Sequence, residues 1–500
     1  MEEYQGIEDN ILPKPNKGTY SKIPDRIPLG YDLWIVLLLS TGALVPAWFS
    51  YDIISRDGAH LYIPVARLFL EGKHLEAIFG PLKPLLLPLY EFLIFFLSRI
   101  SGIGLETSGR LISSASFVIG ALGLYKICNL LFKDRVISFI SILFFISNRD
   151  LLSRSVDCLK ESLLVCLILW ANYLVLKGLS SPARWRYFSA GFLFFLLGGM
   201  VRSVSFIFLA SWLIVWVFHK KRGILERSVR IILPAGVLLL PVYLYPHPWI
   251  DHIFRRSYDF SSLIPVDLGL SERLIAASHF IRQLLARSYY LIALFALVGA
   301  YRKRHDFYPV HALVTLFIFF AISVVIGWDQ AEHGADRYLL VFIVWFYPIA
   351  AFAVSRSLGS RNKVLKALAI LLLVISPLLW AGKAFTPPDP DKLARKDAGE
   401  WILAHSGPGK VILTSRERIA FYAQGYWLDL DLYKKHKILR MIKNKSQDRL
   451  VLPQGKKSEH DGLIVVIDTK LESGRFLYGV VNSLGIFPEK VFRTLYVYFL

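Results

Sequence analysis

Long apolar runs, interrupted by short polar stretches, extend from residue 33 to residue 382. A helix of about 20 apolar residues can cross a bilayer, whereas a water-soluble core needs no runs of this length. The pattern therefore predicts an α-helical polytopic membrane protein with about 11 to 13 spanning helices. The predicted helices cover 33–49, 82–98, 110–131, 136–147, 159–176, 187–201, 204–219, 230–246, 287–301, 309–327, 338–355 and 364–382.

The pattern changes after three prolines within 387–390, where helix-like and strand-like segments alternate. This alternation is typical of a small α/β domain. We therefore divide the chain into a tail at 1–30, a membrane domain at 31–382 and an α/β domain at 383–500. The predicted elements of the last domain are helices at 393–405, 431–444 and 471–484 and strands at 410–414 and 462–468.

Two longer segments of the membrane domain, 50–81 and 247–286, are predicted to lie at the membrane interface. In the first, apolar residues recur at helical spacing, which indicates an amphipathic helix. The second combines arginines with aromatic residues, and it either anchors the chain at the interface or closes over a bound substrate. The apolar positions of the first segment are Tyr62, Val65, Ala66, Phe69 and Leu70.

The formal net charge of +20 would by itself also fit a nucleic-acid-binding protein. Clusters of Lys and Arg, however, lie in short loops at 177–186, 220–230, 302–304 and 356–366. The positive-inside rule places these loops in the cytoplasm, so no nucleic-acid partner is predicted. We expect the N-terminal tail to be cytoplasmic and the C-terminal domain to be extracytoplasmic.

Asp57 is the first candidate for chemistry, because it follows the first predicted helix and precedes a glycine that lets the backbone turn. His60 and Tyr62 add further polar groups nearby. A carboxylate at the membrane surface can act as a general base or as a metal ligand. The alternative is an ordinary solvated carboxylate paired with Arg56.

Three basic residues are further candidates for function, and two of them, Lys83 and Arg337, are candidates for binding a phosphate group. Lys83 begins the second apolar run, where it either contacts phosphate or marks a helix end by snorkelling. Arg202 lies between two apolar halves, where a charge is costly unless it faces a polar cavity or a partner. Arg337, followed by Tyr338, has a guanidinium that can bind two phosphate oxygens at once.

Asp157 and Glu161 are four residues apart, which would place both on one face at the start of the 159–176 helix. They either stabilise that helix N-terminus or bind an acceptor or a metal ion. His333 lies in the loop 328–337, which has the residue types of a metal site without a specific ligand spacing.

Taken in order, these residues resemble the GT-C type of multi-spanning glycosyltransferases that use lipid-phosphate sugars. The chain is similar in particular to the bacterial members related to dolichyl-phosphate-mannose protein mannosyltransferases and to the lipid A aminoarabinose transferase. The resemblance runs through most of the membrane region, and its motifs are Asp57-Gly58-Ala59-His60-Leu61-Tyr62, Lys83-Pro84-Leu85, Gly109-Arg110-Leu111-Ile112-Ser113, the Arg202 hairpin, Arg337-Tyr338 and Ala398-Gly399-Glu400-Trp401.

The resemblance implies an inverting transfer of a sugar from a polyprenyl-phosphate donor to a glycan, lipid or protein outside the cytoplasm, in a bacterial inner membrane. Many relatives have an Asp-Glu pair in the first loop, whereas this chain has Arg56-Asp57-Gly58, so a divalent metal cofactor is left open. The implied roles are catalytic base for Asp57, donor phosphate binding for Lys83, Arg202, Arg337 and Tyr338, and acceptor or metal binding for His60, Asp157, Glu161 and His333.

This function needs the loops 50–81 and 148–157 on the same side of the membrane, although three predicted segments separate them. We therefore predict that the short segment 136–147 does not cross independently. Two other functions stay open: a lipid or anion transporter or flippase, and a non-catalytic envelope assembly protein. The sequence has no repeated halves of the kind that transporters often show.

Overall fold

The structure is a computed structural model that describes residues 29–51, 53–55, 57–79, 88–179, 181, 184–202, 204–219, 270–287, 290–303, 307–326, 335–429, 463–471, 475, 478, 481 and 488–499. Within these residues, each membrane helix predicted from the apolar runs is a helix. The predicted helices at 230–246 and 431–444 lie outside the described residues. The helices of the membrane region are α1 (Leu29–Phe49), α2 (Ile63–Leu70), α3 (His74–Phe79), α4 (Leu89–Ser101), α5 (Leu105–Phe132), α6 (Arg135–Ser147), α7 (Arg149–Ser155), α8 (Glu161–Leu179), α9 (Arg184–Val201), α10 (Ser205–His219), α11 (Leu270–Arg287), α12 (Leu291–Arg302), α13 (Phe307–Ile326), α14 (Ala335–Leu358) and α15 (Lys363–Ala384).

Several of these helices have the length and composition of membrane spans, so the chain is a multi-pass integral membrane protein. Five pass both criteria, and the number rises to 7 if each of two bent helix pairs counts as one span. This is fewer than the predicted number, because several helices are shorter than a span and 230–246 is not described. The five are Tyr31–Phe49, Leu105–Phe132, Glu161–Leu179, Leu339–Leu358 and Lys363–Gly382.

The structure bears on two predicted segments: it agrees with the expectation for 136–147 and shows helix in part of 247–286. The segment 136–147 is α6, which meets the span criteria only together with α7, after a bend of 66°. Asn148 forms the bend, since its side chain accepts the Leu151 N–H at 2.8 Å and starts a new helix. Residues 270–286 of the predicted interfacial loop 247–286 are helical and belong to α11, because apolar residues recur there at helical spacing.

The chain folds into two compact units, and the first comprises 1–48, 84–93 and 110–385. Glycines allow its helices to approach closely. A Cβ atom at Gly191 in α9 would lie 2.9 Å from Val175 Cγ2 in α8, and one at Gly299 in α12 would lie 2.4 Å from the carbonyl oxygen of Ile349 in α14. Small residues are the usual means of such packing between membrane helices, where lipid provides no hydrophobic driving force.

A buried histidine joins three helices of this unit. His311 in α13 accepts the indole N–H of Trp345 in α14 at Nδ1, over 3.2 Å. Its Nε2 lies 2.8 Å from the hydroxyl oxygen of Ser211 in α10. Because the indole nitrogen can only donate, Nε2 carries the proton, and the ring is neutral. In this tautomer both ring nitrogens of His311 have hydrogen-bond partners, so the buried imidazole does not destabilise the packed helices.

The second unit comprises 49–83, 94–109 and 386–500 and contains a five-stranded sheet. The sheet order is β2-β1-β3-β5-β4, with β1 parallel to β2 and β3 and with β5 antiparallel to β3 and β4. The small C-terminal α/β fold that we predicted is confirmed. Its elements are α16 (Pro390–Ser406), β1 (Val411–Thr414), α17 (Glu417–Tyr422), β2 (Tyr426–Asp429), β3 (Leu463–Asp468), β4 (Lys490–Phe492) and β5 (Leu495–Phe499).

The core of this α/β fold lies between α16, α17 and one face of the sheet. Ala398 and Ile402 of α16 and Ile419 of α17 are fully buried against Ile412 and Val466 of the central strands. Burial of apolar area of this kind is the main source of stability in small domains. The predicted strands at 410–414 and 462–468 correspond to β1 and β3, whereas α17, β2, β4 and β5 were not predicted.

The amphipathic helix that was predicted within 50–81 is present as α2, which belongs to this second unit. Its buried face consists of Ile63, Val65, Ala66 and Phe69, and the Phe69 ring stacks on Phe95 with a centroid distance of 5.7 Å. The helix therefore packs on protein along one face. Leu70, which the apolar spacing also placed on that face, is exposed.

Candidate functional site

Asp57 lies at the start of a single π-helical turn, Gly58–Tyr62, that leads directly into α2. Its side chain makes no capping hydrogen bond to this turn. Instead, Ser55 Oγ accepts the Gly58 N–H at 3.2 Å, so the backbone is satisfied without the carboxylate. Such π-helical turns are rare and frequently occur at functional sites. His60 is part of the same turn, and Tyr62 at its end is buried.

The segment before Asp57 is held by a tyrosine of the C-terminal fold. The Tyr422 hydroxyl at the end of α17 accepts the buried Ile54 N–H at 3.1 Å and lies 3.4 Å from Glu106 Oε1. The Tyr51 hydroxyl donates to the same Glu106 oxygen at 3.0 Å. A backbone N–H buried without an acceptor is costly, so the Tyr422 hydroxyl helps to fix the backbone three residues before Asp57.

In the first unit, Arg202 and Glu161 form a buried ion pair. Arg202 Nη2 lies 2.9 Å from Glu161 Oε1, and Arg154 Nη1 lies 3.7 Å from the same oxygen. The Glu161 side chain is 1% exposed and the Arg202 side chain 12% exposed. The partner that the sequence required for Arg202 is therefore Glu161, which lies at the start of α8.

Lys160 and Glu91 extend this group of charges, and neither was predicted. Lys160 precedes α8 and interacts electrostatically with Glu91, Glu161 and Arg202. Glu91 in α4 is buried, and its Oε1 has no hydrogen-bond partner among the described residues. Three basic side chains thus share one buried region with two carboxylates. Only spatial proximity reveals the group, since its members are separated by up to about a hundred residues.

Asp157 and Glu161 do not share a helical face, which corrects our prediction. α7 ends at Ser155 and α8 begins at Glu161, so Asp157 lies in the connecting turn. Asp157 Oδ1 accepts the backbone N–H of Cys158 at 2.6 Å. The i, i+4 spacing could not predict this, because it holds only where the helix continues.

The motif Gly109-Arg110-Leu111-Ile112-Ser113 holds this turn in place. Arg110 Nε donates to the carbonyl of Val156 at 2.9 Å, and the Ser113 hydroxyl donates to the carbonyl of Leu159 at 2.8 Å. Both residues belong to α5. Two carbonyls that flank Asp157 are therefore fixed by the side chains of one helix, which orients the turn.

The other candidates are described less completely or not at all. Lys83 and His333 lie outside the described residues. Arg337 and Tyr338 lie in the first turn of α14, where the structure describes the backbone alone. In the described part of the chain, no three His, Cys, Asp or Glu residues come together as a metal ion would require.

Comparison with known proteins identifies similarities at two levels. Residues 83–249 match the family model described as dolichyl-phosphate-mannose-protein mannosyltransferase. No curated protein sequence matches the chain significantly.

Solved structures share the fold along nearly the whole chain. The crystal structure of apo ArnT from Cupriavidus metallidurans has a TM-score of 0.64 at 11% identity, covering 94% of this chain and 98% of that chain. ArnT bound to undecaprenyl phosphate gives 0.62 at 10% identity, with coverages of 94% and 98%. An Archaeoglobus fulgidus oligosaccharyltransferase complex with Zn and sulfate gives 0.57 at 14% identity, covering 89% and 69%. The predicted GT-C resemblance and fold class are confirmed.

Proposed function

We propose that the protein is a membrane glycosyltransferase that moves a sugar from a polyprenyl-phosphate donor to an acceptor outside the cytoplasm. The observation that carries this proposal is the match of 83–249 to the mannosyltransferase family model. The fold similarity to ArnT supports it, because one ArnT structure holds undecaprenyl phosphate, which is the lipid part of such a donor. We assign the protein to the inner membrane of a bacterium.

Transfer proceeds with inversion in this proposal. A hydroxyl oxygen of the acceptor forms a bond to the anomeric carbon, while the bond from that carbon to the donor phosphate oxygen breaks on the opposite face. The hydroxyl proton passes to the carboxylate of Asp57, and polyprenyl phosphate leaves. The fixed backbone of the segment before Asp57 and the π-helical turn that follows it support its role as the base.

Lys83, Arg202, Arg337 and Tyr338 bind the leaving phosphate and offset the charge that develops on it. For Arg202, the support is its position beside Glu161, which holds the guanidinium in a fixed place. The polyprenyl chain binds along apolar helix surfaces, so that hydrophobic burial remote from the reacting carbon contributes binding energy.

The burial of Glu161 changes its proposed role. Because it lies between Arg154 and Arg202, we assign it to positioning Arg202, not to binding an acceptor or a metal ion. His60 and Asp157 remain the candidates for contacting the acceptor hydroxyl. No step of the proposed reaction is assigned to a metal ion.

The test compares the glycans and lipids of the cell envelope by mass spectrometry in cells with and without the gene. Deletion should remove one sugar from one envelope component, and wild-type protein should restore it. Asp57→Asn should fail to restore it, since an amide cannot accept the proton. Asp397→Asn is the matched control, because Asp397 is exposed on α16.

Full restoration by Asp57→Asn, with both variants present in equal amounts in the membrane, would show that Asp57 is not the base. Purified protein in proteoliposomes addresses the rival function. Movement of polyprenyl-phosphate sugar across the bilayer without transfer to an acceptor would favour a flippase over a glycosyltransferase.

A further inference from the structure

Arginine side chains cluster at one edge of the C-terminal sheet, and the proposed transfer reaction does not use them. Arg416 follows β1 directly, and Arg418 lies in α17 just beyond it. Arg395 lies in α16, whose N-terminal part faces the same edge, because Lys470 after β3 pairs with Asp391 of that helix. The cluster of Arg395, Arg416 and Arg418 is called the arginine edge below.

A buried carboxylate orients one member of the arginine edge. Asp468 at the end of β3 is 2% exposed, and its Oδ2 accepts Arg416 Nε at 2.8 Å. Its Oδ1 accepts the Lys470 N–H at 3.1 Å and the Thr494 hydroxyl at 3.2 Å. Asp468 therefore uses both oxygens within the fold. It fixes Arg416 through Nε, which leaves the terminal N–H groups of the guanidinium directed elsewhere.

The environment of Arg395 is electrostatically unfavourable for a positive charge. Burial lowers the pKa of Arg395, and the charges of Arg416 and Arg418 lower it further, with Asp468 and Asp389 offsetting only part of the effect. No described carboxylate forms an ion pair with Arg395 or Arg418. Since guanidinium groups stay protonated in proteins, the arginine edge holds positive charges close together at a cost in free energy.

The sheet topology makes this edge a typical ligand position. β1 has β2 on one side and β3 on the other, all three parallel. The chain that leaves the carboxyl end of β1 leads to β2, whereas the chain that leaves the carboxyl end of β3 leads to β4 and β5 on the opposite side. In open α/β sheets, ligands bind outside the carboxyl ends of the strands at such a point. Ser415, directly after β1, has a buried hydroxyl oxygen with no hydrogen-bond partner among the described residues.

We infer that the arginine edge is a binding site for a phosphate group, with Arg395, Arg416 and Arg418 as its ligands. Guanidinium forks match the spacing of phosphate oxygens, and a bound phosphate would offset the mutual repulsion of the three arginines. The Ser415 hydroxyl adds a donor at the same place. The phosphate comes from the headgroup of an anionic lipid or from a free phosphate, and the probes below distinguish these sources. The inference is independent of sugar transfer.

The test measures hydrogen–deuterium exchange by mass spectrometry on the full chain in a non-ionic detergent. The probes are inorganic phosphate at constant ionic strength and dihexanoyl phosphatidic acid. Backbone amides in peptides that cover 391–396 and 415–418 should exchange more slowly when a probe is bound. Because exchange is read peptide by peptide, phosphate bound at the proposed donor site does not interfere.

The test variant is Arg395→Gln/Arg418→Gln, and the matched control is Lys410→Gln/Lys490→Gln. The control also removes two positive charges from the same fold, but Lys410 precedes β1 at the opposite edge and Lys490 begins the edge strand β4. The test variant should bind at least roughly tenfold more weakly, because it loses two charge-assisted contacts. The control should bind like wild type.

Protection by both probes supports a site for phosphate in general, and protection by phosphatidic acid alone supports a lipid headgroup site. Either result leaves the transferase proposal untouched. If neither probe slows exchange in wild type, or if the test variant and the control bind equally, the arginine edge only neutralises carboxylates of its own fold and the inference is wrong. Equal thermal unfolding of both variants excludes misfolding as the cause of a loss.

Discussion

Arg202 Nη2 and Glu161 Oε1 are 2.9 Å apart at a place where both side chains are nearly inaccessible to solvent. Two charges lose their hydration when they are buried, and their attraction offsets that cost only while both are present. The pair joins the start of α8 to the residue that follows α9. It therefore stabilises the helix pair and fixes a guanidinium that we assign to the donor phosphate.

Glu161→Gln and Arg202→Gln should each destabilise the protein by about 3 to 5 kcal/mol, because each leaves the other charge without its main partner. The double variant Glu161→Gln/Arg202→Gln should be more stable than the sum of the two losses predicts. Unfolding in detergent, followed by circular dichroism, measures the coupling. Strictly additive losses would mean that the two side chains do not interact in the protein.

The same double variant separates stability from function. If Arg202 binds the donor phosphate, the double variant should fold and yet have a KM for the donor at least roughly tenfold above that of wild type. A matched control is Lys396→Gln/Glu400→Gln, which removes an exposed ion pair at helical spacing in α16. Unchanged donor KM in the folded double variant would remove Arg202 from the phosphate site.

Tyr422→Phe should slow the proposed reaction without a loss of substrate affinity. The substitution removes only the hydroxyl that accepts the Ile54 N–H, so the backbone before Asp57 loses a fixed point while the aromatic ring still packs. We expect kcat to fall about tenfold and KM to stay within a factor of two, since misplacing a catalytic group costs rate more than binding.

Tyr498→Phe is the control for this experiment. Tyr498 in β5 belongs to the same fold, and its buried hydroxyl has no hydrogen-bond partner among the described residues. This variant should keep the wild-type kcat. If Tyr422→Phe and Tyr498→Phe have equal rates, the C-terminal fold does not position the Asp57 segment through this hydroxyl.

The sequence predicts the helices of this protein well, because a membrane-spanning segment must satisfy its own backbone and hide it from lipid. Long apolar runs therefore identify helices whatever their neighbours are. The contacts that build the candidate site have no such local signal. Tyr422 and Ile54 are 368 residues apart in the chain, and Arg202 and Glu161 are 41 apart.

Local spacing also fails where a helix stops. Asp157 and Glu161 have the right separation for one helical face, yet the turn before α8 separates them. Arg110 and Ser113 belong to a motif that the resemblance identifies, but only the structure assigns them a physical role, which is to hold the carbonyls on either side of Asp157. The strands β4 and β5, with 3 and 5 residues, were not predicted.

Asp391 should make the stability of the C-terminal fold depend on pH in the acidic range. A hydrogen bond from Lys470 is the main cause that lowers the pKa of Asp391 from 3.8, and the charges of Lys470 and Arg493 contribute. A carboxylate whose pKa is lower in the folded state than in the unfolded state stabilises the fold at pH values above its unfolded-state pKa. This stabilisation is lost as the pH falls through the folded-state pKa. Asp391→Asn should therefore melt at a lower temperature than wild type near neutral pH, with the difference vanishing below the pKa of the folded state.

Asp397→Asn, an exposed position on the same helix, is the control, and its melting temperature should follow that of wild type at each pH. The local melting can be followed by hydrogen exchange in peptides of α16. A difference between Asp391→Asn and wild type that stays constant down to the lowest pH would show that the Asp391 charge is not what stabilises the fold.

Gly299→Ala should destabilise the membrane unit by about 1 to 3 kcal/mol, the usual cost of adding a methylene group to a packed core. The added Cβ would lie 2.4 Å from the carbonyl oxygen of Ile349 and 2.8 Å from its Cγ2, so α12 and α14 must move apart.

Gly382→Ala in α15 is the matched control, since a Cβ there meets nothing within 4 Å. Alanine has the higher helix propensity, so the control should be neutral or slightly more stable. Thermal unfolding of both variants in the same detergent measures the contrast. Equal melting temperatures would mean that α12 and α14 do not pack as closely as the Gly299–Ile349 contact requires.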